Sequence, residues 1–172
     1  MCNFLRASIK FRRRNAAGES ILSHETLLVV DDEPDILNIV KEEIIGCCAD
    51  TEIDTASSYE DAVQLLKSKN YDLVILDIMG VRGFDLLAIA VEHKYKVTML
   101  TAHSLSPEAL KRSHDMGAMS YLPKDKLGQL VPFLEDILQN DYKSGWKKIL
   151  GKLEDYYTEK FGSSEWKGTF WW

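Results

Sequence analysis

The stretch that most narrows what this chain can fold into is Tyr71 to Gly83, YDLVILDIMGVRG. Tyr71, Leu73, Val74, Ile75 and Leu76 form a near-continuous apolar run of strand length, the pattern of a strand buried on both faces in a parallel sheet. The run ends on Asp77, and a Gly-marked loop follows. Open α/β sheets bind their ligands at the carboxyl ends of the strands, so Asp77 stands where chemistry is done. What matters next is which other groups reach the same edge.

Thr26 to Val30 (TLLVV) is a second apolar run, and it ends on Asp31 and Asp32. Pro34, flanked by Glu33 and Asp35, suits a first helical turn, and Ile36, Val40, Ile44 and Cys47 follow at helical spacing. Thr51 to Ala56 predicts an edge strand, and Ser58 with Asp61 predicts a capping box for a helix running to about Ser68. Phe84, Leu87 and Val91 mark a third helix, and Lys96 to Leu100 a fourth strand ending at Thr101 and Ala102. Ser106 and Pro107 open a fourth helix that Gly117 stops. Ala118 to Leu122 predicts a fifth strand, with Pro123 and Lys124 directly after it. Leu127, Leu130, Val131, Leu134, Ile137 and Leu138 trace a fifth helical stripe, which Pro132 interrupts, so the regular helix begins near Leu130 or kinks there. Five strands alternating with five helices predict a doubly wound α/β domain.

Charge divides the chain. Its net charge is −6, yet residues 1–20 carry +4, residues 141–172 carry +1 and the segment between them carries −11. So acidic a centre is not a nucleic-acid surface. No apolar run is long enough to span a bilayer, and the basic start lacks the apolar core of a signal peptide. Residues 1–24 read as a disordered basic arm, the alternative being contact with an acidic partner or membrane surface. Three cysteines, two of them the adjacent Cys47 and Cys48, fit neither a disulfide framework nor a paired metal motif. The expected compartment is the reducing cytoplasm.

In a parallel sheet Asp31, Asp32, Asp77, Thr101 and Lys124 all fall at one edge. Like charges about 4 Å apart repel by about 4 kcal/mol at an effective dielectric near 20, so the three carboxylates require a cation. Hard oxygen donors with open water positions suit Mg²⁺, and Lys124 adds a point charge. A cation, a lysine and a strand-end carboxylate together make a phosphoryl-transfer arrangement, with the carboxylate as nucleophile.

The ordered set of an apolar strand into Asp31 and Asp32, VILD into Asp77, MLTA with Thr101 and Ala102, and YLPK with Tyr121 and Lys124 resembles the receiver domains of two-component response regulators, over roughly residues 25–140. The resemblance implies a flavodoxin-like sheet of order 2-1-3-4-5, a phospho-acceptor at Asp77, and Mg²⁺ held by Asp31, Asp32, Asp77 and the backbone carbonyl of Met79. It further implies that Lys124 contacts the phosphoryl group and that Thr101 and Tyr121 form a switch pair, with Tyr121 turning inward on phosphorylation. Two departures stand out. Gly83 lies six residues after Asp77 where the family reaches its glycine at eight, and no Met-Pro pair follows the acceptor; the short loop predicts weaker Mg²⁺ affinity. The family's cis proline after the lysine is Asp125 here, and a proline precedes the lysine instead.

The tail, residues 141–172, holds all four tryptophans. Trp146, Ile149 or Leu150, Leu153, Tyr157 and Phe161 predict an amphipathic helix over Lys143 to Phe161. It either folds back on the domain or offers a docking surface. At about 30 residues it is too short for a DNA-binding domain. The expected function is a phosphorylation-switched response regulator, not an enzyme, that takes a phosphoryl group from a histidine kinase or phosphotransfer protein. Its output partner would dock through residues 141–172 or the face of the fourth helix, fifth strand and fifth helix, and a homodimer is a further partner class. One rival is a pseudo-receiver that binds proteins with impaired phosphoryl chemistry. The other is a metal-dependent phosphatase with Asp77 as nucleophile, which generally needs a second acid where Ile78 and Met79 stand.

Overall fold

In the computed structural model, which describes residues 19–102 and 106–169, the apolar runs become five parallel strands. They are β1 (Thr26–Val30), β2 (Glu52–Ala56), β3 (Leu73–Asp77), β4 (Lys96–Thr101) and β5 (Ser120–Pro123), in the order β2-β1-β3-β4-β5. Every neighbouring pair is parallel. The two sequences read as most buried take the inner positions, β3 being buried throughout and β1 from Leu27 onward. The weakly alternating β2 lies at one edge and shows a mixed burial pattern.

Between the strands run α1 (Pro34–Cys47), α2 (Tyr59–Ser68), α3 (Gly83–Glu92), α4 (Pro107–Asp115) and α5 (Leu130–Gln139). α1 packs with α5, and α2 with α3; the right-handed crossovers on either side of β1 put these pairs on opposite faces. Local signals set the helix ends. Ser58 and Ser106 cap α2 and α4 by accepting from the amides of Asp61 and Ala109. Gly117 leaves α4 at φ +93°. α5 starts at Leu130, which puts Pro132 in a first turn that needs no amide donor, so the proline sets the start of the helix and leaves it regular.

Some boundaries move from the sequence expectation. β2 starts at Glu52 because Thr51 donates its amide to Cys48 O and its hydroxyl to Leu22 O, at 3.2 and 2.8 Å. β5 starts two residues late because Ala118 donates its amide to Ser113 O, finishing the turn out of α4. Lys124–Gln129 forms a 3₁₀ helix that the stripe pattern had not indicated. Residues 1–18 of the expected N-terminal arm lie outside the described residues. Residues 19–24, assigned to that arm, instead belong to the domain: Leu22 is 0% exposed in the core, and Ser20 donates to the buried Glu135 at 2.8 Å.

The tail forms α6 (Tyr142–Phe161), followed by a 3₁₀ turn at Glu165–Thr169. Asp141 caps α6 through the Ser144 amide at 2.8 Å. Of the two readings of the aromatic stripe, the structure takes the first: Trp146, Ile149, Leu150, Leu153 and Tyr157 are buried against β5 and α5. Trp146 Nε1 donates to Ala118 O at 2.6 Å, its ring meets His114 of α4 edge-on, and the Tyr157 hydroxyl donates to Tyr121 O. Lys148 and Lys152 pair with the fully buried Asp136 of α5. α6 thus covers the β5 edge of the sheet, where unpaired backbone groups would otherwise be open to another strand. No described helix is long and apolar enough to cross a membrane.

Candidate functional site

The carboxyl ends of β1, β3, β4 and β5 converge as the strand order requires. Asp31 follows the last residue of β1, Asp77 closes β3, Thr101 closes β4 and Lys124 follows β5. Lys124 is the electrostatic hub. Its Nζ lies 2.8 Å from Asp31 Oδ2, 2.8 Å from Glu33 Oε1 and 3.1 Å from Asp77 Oδ1. Burial alone would pull the ammonium's pKa down, but the three carboxylates outweigh it and hold the pKa above its ordinary value. Burial raises the pKa of Asp31, opposed by Lys124 and by the Glu33 amide that Asp31 Oδ1 accepts at 3.0 Å.

Asp77 has two differently employed oxygens. Oδ2 accepts from the backbone amides of Met79 and Gly80, at 2.8 and 3.1 Å, while Oδ1 faces Lys124. The carboxylate is therefore oriented by the loop on one side and left to a single cation on the other. Asp32, Glu33, Asp77, Met79, Gly80, Ala102 and Lys124 line an open cleft of about 410 Å³. The departure at Asp125 does not divert Lys124, since the 3₁₀ helix begins at the lysine itself and its side chain turns back to the cleft.

The donors at this cleft are all oxygen, a chemistry that fits Mg²⁺. As the side chains stand, no group of three His, Cys, Asp or Glu residues among the described residues is arranged to hold a metal, and the Lys124 ammonium lies between Asp31 and Asp77. The cleft nevertheless opens beside the exposed Asp32, and its carboxylate and carbonyl oxygens are ligands of the kind Mg²⁺ takes.

Thr101 and Tyr121 are both buried and hydrogen-bonded to each other, and Tyr121 also bonds the backbone of Ser106. Desolvation raises the Tyr121 pKa. The inward turn expected of Tyr121 on phosphorylation meets a ring that is already 0% exposed, with Tyr157 of α6 packed 6.5 Å away between ring centroids. Sequence reasoning missed Glu33 as a Lys124 partner, having read it only as a helix-start acid, though its place directly after Asp31 and Asp32 is a signal. It also missed the Met79 and Gly80 amides, whose role rests on loop geometry that no residue type announces.

Comparison with known proteins agrees with this geometry. The family model described as the response regulator receiver domain matches residues 27–134. The transcriptional regulatory protein YvrH of Bacillus subtilis is 29% identical over 106 residues, which is 60% of this chain and 44% of YvrH, so the chain spans less than half the length of that relative. The response regulator TrrA of Thermotoga maritima, solved in complex with Mg²⁺-BeF, is 36% identical with a TM-score of 0.56 over 66% of this chain and 98% of TrrA. A response regulator structure from Chloroflexus aurantiacus gives 28% identity and a TM-score of 0.58, over 67% and 98%. With the strand order, the carboxylate edge and the matched segment in agreement, the chain belongs to the response regulator receiver family of two-component signalling.

Proposed function

We propose that this protein is a phosphorylation-switched receiver whose acceptor is Asp77. The observation that carries the reading is the division of labour on that carboxylate, with Oδ2 held by two loop amides and Oδ1 directed at Lys124 on an open cleft. An oriented, ionised carboxylate beside a fixed cation is what attack on a phosphoryl group requires. An Asp77 oxygen forms the new bond to phosphorus while the P–N bond of a phosphohistidine breaks, and the leaving imidazole takes up a proton. The donor is a histidine kinase or phosphotransfer protein. Asp31, Asp32, Asp77 and the Met79 carbonyl would hold Mg²⁺, which supplies charge neutralisation on the transferring phosphoryl. Lys124 neutralises a further phosphoryl oxygen. Thr101 exchanges its bond with Tyr121 for one to the phosphoryl group.

The output surface follows from α6. That helix lies on β5 and α5 and touches α4 through His114, so an output protein or a second copy of the chain meets the outer side of α6 or displaces it. We place this exchange in the cytoplasm.

Intact-mass measurement with a small phosphodonor tests the acceptor. One added phosphoryl group is expected in Mg²⁺, none in EDTA, and none on Asp77→Asn, whose amide is a poor nucleophile. A pseudo-receiver is the second reading, favoured by the Lys124 ammonium already neutralising Asp31 and Asp77. Unmodified wild type at saturating Mg²⁺, or equal modification of Asp77→Asn, would select it.

A further inference from the structure

The loop between β3 and α3 crosses the candidate cation site at Gly80. Backbone conformation does not demand glycine there, since the described glycines with positive φ are Gly117 and Gly162. Space does. A Cβ on Gly80 would stand 2.0 Å from both Cγ and Oδ1 of Asp32 and 2.2 Å from Oδ2, so the glycine Cα lies flat against that carboxylate. The amide of the same residue donates to Asp77 Oδ2 at 3.1 Å. Gly80 therefore touches two carboxylates that come from the ends of different strands.

The loop has no slack with which to accommodate a side chain. Its far end closes by the Gly83 amide donating to Ile78 O at 3.2 Å, and a Cβ on Gly83 would lie 1.9 Å from the Asp77 carbonyl oxygen. Val81 and Ile78 are buried on either side of Gly80. What can yield is Asp32, a short exposed side chain that would have to retreat until an ordinary contact of 3.4–4 Å was restored.

We propose that Gly80 is a positioning residue for the cation: its missing side chain lets a loop this short hold the Asp32 and Asp77 carboxylates at one cleft. The proposal rests on the Mg²⁺ reading above and deepens it. Mg²⁺ requires near-ideal oxygen geometry at about 2.0–2.1 Å, so displacing one carboxylate by more than an ångström removes a ligand or its bridging water. Because Asp32 is exposed, its displacement leaves the core untouched. Gly80→Ala thus separates metal binding from folding.

The test is calorimetric titration of Mg²⁺ into the full chain for wild type, Gly80→Ala, Asp32→Ala and the double variant, with urea midpoints measured in EDTA. Gly80→Ala is expected to weaken Mg²⁺ binding about tenfold or more, in line with losses seen when groups that orient metal ligands are removed. It should keep the wild-type midpoint and add no further loss in the Asp32→Ala background. The proposal is overturned if Gly80→Ala binds like wild type, if it weakens binding equally when Asp32 is absent, or if its midpoint in EDTA falls as for a core truncation. Wild type that takes up no Mg²⁺ overturns the cation reading itself, and this proposal with it.

Discussion

Replacing Trp146 by alanine tests whether α6 is part of the fold or an appendage laid upon it. The indole is 0% exposed, its Nε1 donates to Ala118 O at 2.6 Å, and its ring lies 5.3 Å from that of His114. Truncating a buried tryptophan costs about 3–5 kcal/mol. The carbonyl of Ala118 loses a donor, and if water does not reach it a further ~1 kcal/mol or more is lost. In a domain of this size each kcal/mol moves Tm by about 2–4 °C, so a fall of about 6–20 °C is expected. Urea unfolding with Lys147→Ala as control supplies the measurement, since Lys147 is exposed on the same helix and its truncation should stay within about 0.5 kcal/mol. The free energy lost through Trp146 cannot exceed the cooperative docking energy of α6. A Trp146→Ala variant within ~1 kcal/mol of wild type would show that α6 detaches independently, and the reading of the tail as an integral sixth helix would fail.

Two further perturbations probe regions away from the cleft. Leu22→Ala should cost about 2–5 kcal/mol in urea unfolding, because the residue is fully buried although it precedes β1; a loss under ~0.5 kcal/mol would return residues 19–24 to the arm. Glu25 has its pKa pushed up to about 7, first by burial and then by the charge and hydrogen bond of Asp72, with Lys96 opposing. A raised carboxyl pKa means the folded state binds more protons than the unfolded one between about 4.5 and 7, so this group's contribution is favourable below that window and is lost as pH rises through it. Glu25→Gln should therefore match wild type near pH 4 and exceed it at pH 8, by on the order of 1 kcal/mol once solvent screening of this half-exposed site is allowed for. Parallel urea midpoints with no gap at pH 8 would contradict it.

Strand assignment was legible in the sequence because burial on both faces leaves a local mark. The runs ending at Asp31, Asp77 and Thr101 announce the C-terminal ends of β1, β3 and β4 within a residue, and parallel connection then brings those ends to one edge whatever the side chains do. Caps at Ser58 and Ser106 were legible for the same reason, since each acts within its own first turn. The amphipathic stripe from Trp146 to Phe161 likewise declared a helix. Its partner was not declared, because an apolar stripe records that something must be covered and does not record by what. Packing against β5 and α5 settled that, together with the buried Asp136 that receives Lys148 and Lys152.

The sequence by itself determined the fold class, the acidic edge and the placing of Asp31, Asp77, Thr101 and Lys124 along it, since all three follow from local periodicity and from which residue ends each strand. Tertiary structure alone decided how those residues share their charges. Lys124 reaches Glu33 across 91 positions of chain, Asp77 divides its oxygens between Lys124 and two loop amides, and Gly80 is pressed against Asp32. Distances of this kind depend on how far a loop can reach and where a neighbouring strand ends, quantities that belong to the folded chain as a whole and leave no periodic trace in any one segment.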